Sequence, residues 1–85
     1  MRWDSSAAKQ FGLVLRQLRE EHGLSQETLA FRAGITKNQV QLIESGKGSG
    51  RKEAMTPSNP RLSTLIGIAS VLEISVHELL ERSGI

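Results

Sequence analysis

The sequence predicts an all-α domain of five helices, and three observations lead there. One apolar stripe, Phe11, Val14, Leu15 and Leu18, falls at i, i+3, i+4 and i+7, the spacing of one helix face. An apolar residue followed by a hydroxyl residue, with a second apolar residue four positions into the helix, occurs three times: Leu24-Ser25 before Leu29, Ile35-Thr36 before Val40, and Ile74-Ser75 before Leu79. That is a hydrophobic staple around an N-cap, the local mark of a helix start. No segment alternates apolar and polar with period two, so no strand is expected.

The elements follow in order. Helix one is predicted over 6–22, with Gly23 as its left-handed end. Helices two and three span 25–33 and 36–45, starting at Ser25 and Thr36, whose hydroxyls each accept a first-turn N–H for about 1 kcal/mol. Asn59-Pro60 reads as a cap followed by proline at the first helical position, which opens helix four over 60–72. Leu62, Leu65, Ile66, Ala69 and Leu72 supply its apolar face. Ser75-Val76-His77-Glu78 spells a full capping box for helix five, 75–82. Residues 1–5 are read as a tail. The stretch Gly46 to Pro60 holds three glycines, both prolines and no apolar periodicity, so 46–59 is read as an extended loop. The whole of 1–85 is expected to be one domain.

Composition narrows the function classes. The chain has no cysteine, which removes disulfides, thiolate zinc sites and cysteine nucleophiles. His22 and His77 stand far apart and poorly accompanied, so no metal and no cofactor are expected. No apolar run is long enough to span a bilayer, and residues 1–5 lack the apolar stretch of a signal peptide. The expectation is a cytoplasmic protein with no membrane partner. Net charge is only +2, but it is unevenly placed. Residues 1–35 carry a net +1; residues 36–61 carry Lys37, Lys47, Arg51, Lys52 and Arg61 against Glu44 and Glu53; residues 62–85 carry Arg82 against Glu73, Glu78 and Glu81. A basic middle and an acidic end suit a molecule with one face toward a polyanion.

Helices two and three are joined by Ala33-Gly34-Ile35, and a short glycine-containing turn between two short helices is a helix-turn-helix signature. The run Gly23-Leu-Ser-Gln-Glu-Thr-Leu-Ala30, then Ala33-Gly-Ile-Thr36, then Val40-Gln-Leu-Ile-Glu-Ser-Gly-Lys47 resembles the lambda-repressor/Cro (XRE-type) helix-turn-helix family. Gly12 with Leu15-Arg16-Gln17-Leu18-Arg19 resembles that family's first helix. Asn59-Pro-Arg-Leu-Ser-Thr-Leu65 and Leu72-Glu-Ile-Ser-Val-His-Glu-Leu-Leu80 resemble its fourth and fifth. The chain departs from the family in two places. About ten extra residues, 48–58, stand between helix three and Asn59-Pro60, and Glu73 occupies a turn where glycine is usual.

The helical wheel agrees on which helix would read DNA. With Val40 and Ile43 inward, Asn38, Gln41, Leu42 and Ser45 point outward, and Lys37 sits at the exposed start. Asn and Gln can bond adenine through two hydrogen bonds, Lys can reach guanine, and a leucine suits a thymine methyl. Lys37, Asn38, Gln41 and Leu42 are therefore the expected base contacts, Leu42 having a rival reading against a neighbouring helix. Gln26 opens helix two, where free N–H groups favour an anion, and the resemblance implies that it touches the DNA backbone. Thr36, Gln39, Ser45, Lys47, Arg51 and Lys52 are expected to join it. The resemblance also implies an ion pair of Arg19 with Glu44, tying helix one to helix three.

The reading is a sequence-specific regulator of transcription, a repressor, bound as a homodimer to a two-fold operator. Val76, Leu79, Leu80 and Ile85 are expected at the dimer interface, with Trp3 a further contributor. RNA polymerase or a small partner protein is a further expected contact. An antitoxin-like module that binds a partner protein is the alternative, since the family's fold also occurs there. The sequence offers no nucleophile with a base, no ligand cluster and no phosphate loop, so an enzyme is not expected. One Trp, two Phe and no Tyr give no stacking platform for RNA.

Overall fold

Residues 2–48 and 56–85 are described by a computed structural model. Among them lie five helices: α1 (Ser5–Glu21), α2 (Gln26–Ala33), α3 (Lys37–Ser45), α4 (Leu62–Val71) and α5 (Val76–Arg82). There is no strand among the described residues, only an isolated antiparallel bridge between Lys47 and Pro57.

Local chemistry sets the helix starts. Asp4 Oδ1 accepts from the Ala7 N–H, Ser25 Oγ from Thr28, Thr36 Oγ1 from Gln39 and Ser75 Oγ from Glu78, at 2.9–3.1 Å. Two expectations change. The complete capping box forms on α3, where Gln39 Oε1 also accepts from the Thr36 N–H at 2.8 Å. At α5 the Glu78 carboxylate instead lies 3.7 Å from Arg82, one turn further on. Helix α4 also begins later than predicted, at Leu62 with Arg61 as an N-cap that makes no side-chain bond. The reason lies upstream: the Ser58 N–H is bonded to the Gly46 carbonyl at 3.0 Å, so the chain is still tied to the end of α3 there. Arg61 remains extended at ψ 156°.

All five helices close with the same pair of backbone bonds, the 6→1 and 5→2 pattern that needs a left-handed residue just past the helix. After α2 that residue is Gly34 (φ 77°), which gives the sharp turn into α3. After α4 it is Glu73 (φ 59°), which carries a side chain into a region favourable only for glycine. Replacing Glu73 by glycine removes a left-handed cost of about 1–2 kcal/mol and adds about 0.5–1 kcal/mol of unfolded-chain entropy. The expected net is a stabilisation of roughly 0.5–1 kcal/mol, read as a rise of a few degrees in Tm. An unchanged or lower Tm would show that the bonds of this turn already absorb the strain.

The core draws on every helix. Phe11 and Leu15 of α1, Leu29 of α2, Val40 of α3, Ile68 of α4, Leu72 beyond it and Leu79 of α5 are almost completely buried. Each contributes about 1.5–3 kcal/mol of apolar burial. Leu79 was expected at a dimer interface and is instead core, with no exposed surface. It occupies the fourth position after the Ser75 cap, and that staple position turns it back toward Ile74 and the interior. Val76, Leu80 and Ile85 are half-buried and pack against the same core. Leu13, Phe31, Leu62 and Ile66 are the large apolar side chains most open to solvent among the described residues.

Candidate nucleic-acid interface

The outer face of α3 is a row of hydrogen-bonding side chains. Val40 and Ile43 face the core, and Lys37, Asn38 and Gln41 are exposed on the far side. Leu42 is half-buried and lines the groove between α3 and α4.

Several side chains expected to touch phosphate are already engaged. Thr36 and Gln39 are spent on the capping box, leaving the Gln39 amide N–H groups as free donors. The Ser45 hydroxyl donates to the Leu42 carbonyl at 2.9 Å, so in this rotamer it can only accept. Lys47 is exposed at the end of α3. Arg51 and Lys52 lie outside the described residues.

A buried polar network holds α3 in place. Arg19 Nε donates to Glu44 Oε2 at 2.6 Å and Nη2 to Oε1 at 3.2 Å, a two-pronged pair. Arg19 Nη1 also donates to the Leu24 carbonyl at 2.7 Å, and Gln26 Nε2 to Glu44 Oε1 at 3.0 Å. One carboxylate thus joins α1, the turn after it, the start of α2 and the body of α3. The hydrogen bond from Glu44 raises the Arg19 pKa above its ordinary value despite burial, so the guanidinium stays charged. Gln26, expected at a phosphate, has one amide hydrogen committed to this network and keeps the other.

The network is assisted by two close approaches. Gly12 of α1 lies under α3 so tightly that a Cβ there would stand 2.5 Å from the carbonyl oxygens of Ile43 and Glu44. Gly46, the residue that ends α3 (φ 74°), abuts Lys9 of α1.

Beside α3, an open groove runs to the start of α4 and is lined by Gln39, Leu42, Lys47, Ser58, Arg61 and Thr64 among others. Among the described residues, no group of three His, Cys, Asp or Glu side chains is placed to hold a metal ion. Nor is any single helix there long and apolar enough to cross a membrane.

Residues 10–81 match a family described as a helix-turn-helix domain. The chain belongs to that family. Relatives within it agree. The HTH-type transcriptional regulator SinR of Bacillus subtilis is 33% identical over 71 residues, 84% of this chain and 56% of SinR. The restriction-modification controller protein C.AhdI of Aeromonas hydrophila superposes with a TM-score of 0.69 at 38% identity, covering 85% of this chain and 94% of that one. SinR solved in complex with DNA superposes with a TM-score of 0.63 at 33% identity, over 82% of this chain and 97% of that one. The chain spans about half the length of the curated relatives it matches.

Helix-turn-helix families place the second helix of the motif at the nucleic acid, which here is α3. Ser58, Arg61 and Thr64, which line the groove beside α3, are not marked by the sequence. Arg61 is placed inside helix four by the Asn59-Pro60 cap pattern, and only the later start of α4 at Leu62 makes it the residue before the helix. Ser58 carries no local signal, because its place depends on a bond made 55 residues away.

Proposed function

We propose that the chain is a sequence-specific double-stranded DNA-binding regulator of transcription, a repressor working in the cytoplasm without catalytic activity. The observation that carries this reading is the exposed polar row Lys37, Asn38 and Gln41 on a helix whose opposite face is locked to the core. Base readout needs side chains held in fixed register, and the Arg19–Glu44–Gln26 network gives α3 that rigidity. Asn38 and Gln41 offer the amide pattern that matches adenine, Lys37 the cation that matches guanine, and Leu42 an open edge for a thymine methyl. Lys47, Arg61, Gln26 and the free amide of Gln39 flank the row and suit phosphates, which orient the protein without reading sequence.

One such helix covers a short stretch of major groove, so specific binding calls for a homodimer on a two-fold operator with half-sites about one helical turn apart. The half-buried Leu80 and Ile85, which border a shallow hollow with His77 and Glu81, supply the apolar part of that contact, with Val76 beside them. Leu79 has no part in it.

The test is selection from a randomised duplex pool at about 150 mM salt, where phosphate-only binding is weak. An enriched inverted repeat is the expected result. On that repeat, Gln41→Ala should lose about 1–3 kcal/mol of affinity and relax preference at one position per half-site. No enriched sequence, or Gln41→Ala binding like the unsubstituted chain, would return α3 to an ordinary solvated surface.

A further inference from the structure

Phe31, on the outer face of α2, is 85% exposed, more than any other large apolar side chain among the described residues. At that exposure the ring contributes little to the fold; Leu29 and Ala30 are the residues of α2 that enter the core. Phe31 borders an open hollow together with Ile35 of the turn and Lys37, the first residue of α3. A helical side chain leans from its Cα toward the N-terminus of its helix. Lys37 therefore leans back over the turn, toward Ile35 and Phe31, and not along α3. A lysine stem lies readily on apolar surface while its ammonium stays in water. Lys37 is exposed and makes no ion pair among the described residues, so no opposite charge sets its direction.

We propose that Phe31 is a positioning residue for base recognition. Its ring and Ile35 form the wall along which the Lys37 stem lies when α3 enters the groove of a duplex, and the wall presents the ammonium to one base edge. This rests on the DNA-binding reading above. A lysine ammonium is a point charge on a flexible stem, so unguided it is drawn to a phosphate as readily as to a base. A wall that narrows the directions open to the stem turns that charge into a reader of one position, and less freedom is lost on contact. Asn38 and Gln41 have shorter stems on the same helix and need no such guide.

The test is selection from a randomised duplex pool at about 150 mM salt, run on the full chain and its variants. Lys37→Ala marks the base position that Lys37 reads. Phe31→Ala is expected to relax preference at that same position alone. It should weaken binding to the selected duplex about two- to tenfold, the effect of freezing one flexible side chain. Its Tm should be nearly unchanged, because the ring is exposed. Phe31→Leu keeps an apolar wall and should recover most of the preference. In the double variant, Phe31→Ala should add no loss to that of Lys37→Ala, since the ring acts through the lysine. A merely structural role would instead lower the Tm and weaken binding to every sequence alike. The proposal is overturned if Phe31→Ala keeps the full preference, if it relaxes a position that Lys37→Ala leaves sharp, or if the two losses add in full. It is also overturned if Lys37→Ala relaxes no position. If the unsubstituted chain enriches no sequence, the DNA-binding reading itself fails and takes this inference with it.

Discussion

Glu44→Ala is expected to remove about 3–5 kcal/mol of folding stability. Only 5% of the Glu44 side chain is exposed and 10% of Arg19. Truncating the carboxylate leaves a buried guanidinium whose remaining partner is the Leu24 carbonyl, and it strips the acceptor from Gln26. A domain of 85 residues has roughly 4–13 kcal/mol to lose, so this single change takes a large share. The pair's net worth is a separate quantity. Arg19→Met with Glu44→Leu removes both charges and their desolvation together, and buried pairs replaced in this way often regain the lost stability. Urea titration of the two variants separates the cases. The single variant should be crippled and the double variant near the starting value. A loss under about 1 kcal/mol for Glu44→Ala would mean that the pair behaves as a solvated surface bridge. The arginine side of the pair brings no pH dependence at ordinary pH. Its pKa is raised in the fold, so its contribution is present below the unfolded value and fades only as pH climbs through the still higher folded one. Duplex binding should fall with stability in the single variant and return in the double variant if rigidity of α3 is what the pair provides.

Most of the fold was legible because helix starts are local. Ser25, Thr36 and Ser75 cap the helices they were expected to cap, since the bond runs only three residues forward. What was not legible depended on distance. Thr36-Lys37-Asn38-Gln39 carries the capping-box spacing as plainly as Ser75 to Glu78 does, yet only the first box closes, because Glu78 has Arg82 one turn away as a competing partner. The start of α4 slipped because the bonds of Ser58 to Gly46 and to Trp3 keep the chain extended past Asn59-Pro60. On the site, the outward row of α3 follows from helix periodicity alone. The engagement of Gln26 with Glu44, the back-bond of Ser45 and the burial of Leu79 all required the packed molecule. Leu79 is the instructive one: the staple pattern that marked the start of α5 already implied that its second apolar residue turns inward.

Gly12→Ala is the other change with a large expected effect, and two opposing terms decide its sign. In a helix interior alanine is favoured over glycine by about 1 kcal/mol, so on α1 alone the substitution would stabilise. Against this, the new Cβ would stand 2.5 Å from two carbonyl oxygens of α3 and 2.8 Å from the Glu44 carbonyl carbon. These are backbone atoms with no rotamer to yield, so α1 and α3 must move apart bodily. Overpacking of this kind costs about 1–3 kcal/mol and occasionally more. Movement apart also stretches the Arg19–Glu44 pair, which bridges the same two helices and is at its shortest at 2.6 Å. The two losses compound, so the expected outcome is a net destabilisation of roughly 1–3 kcal/mol by urea titration. Affinity for DNA should fall further than stability alone explains, because the displaced element is the one that carries Asn38 and Gln41. Gly67→Ala is the matched control: its Cβ would meet the Ala33 carbonyl oxygen at 2.6 Å, at the contact of α4 with the end of α2. It should cost comparable stability and spare base preference, since α3 keeps its seat on α1. If Gly12→Ala and Gly67→Ala changed affinity equally, the seating of α3 on α1 would have no special part in recognition. If Gly12→Ala raised the Tm, the two helices would have slack that a 2.5 Å approach to backbone oxygen does not allow.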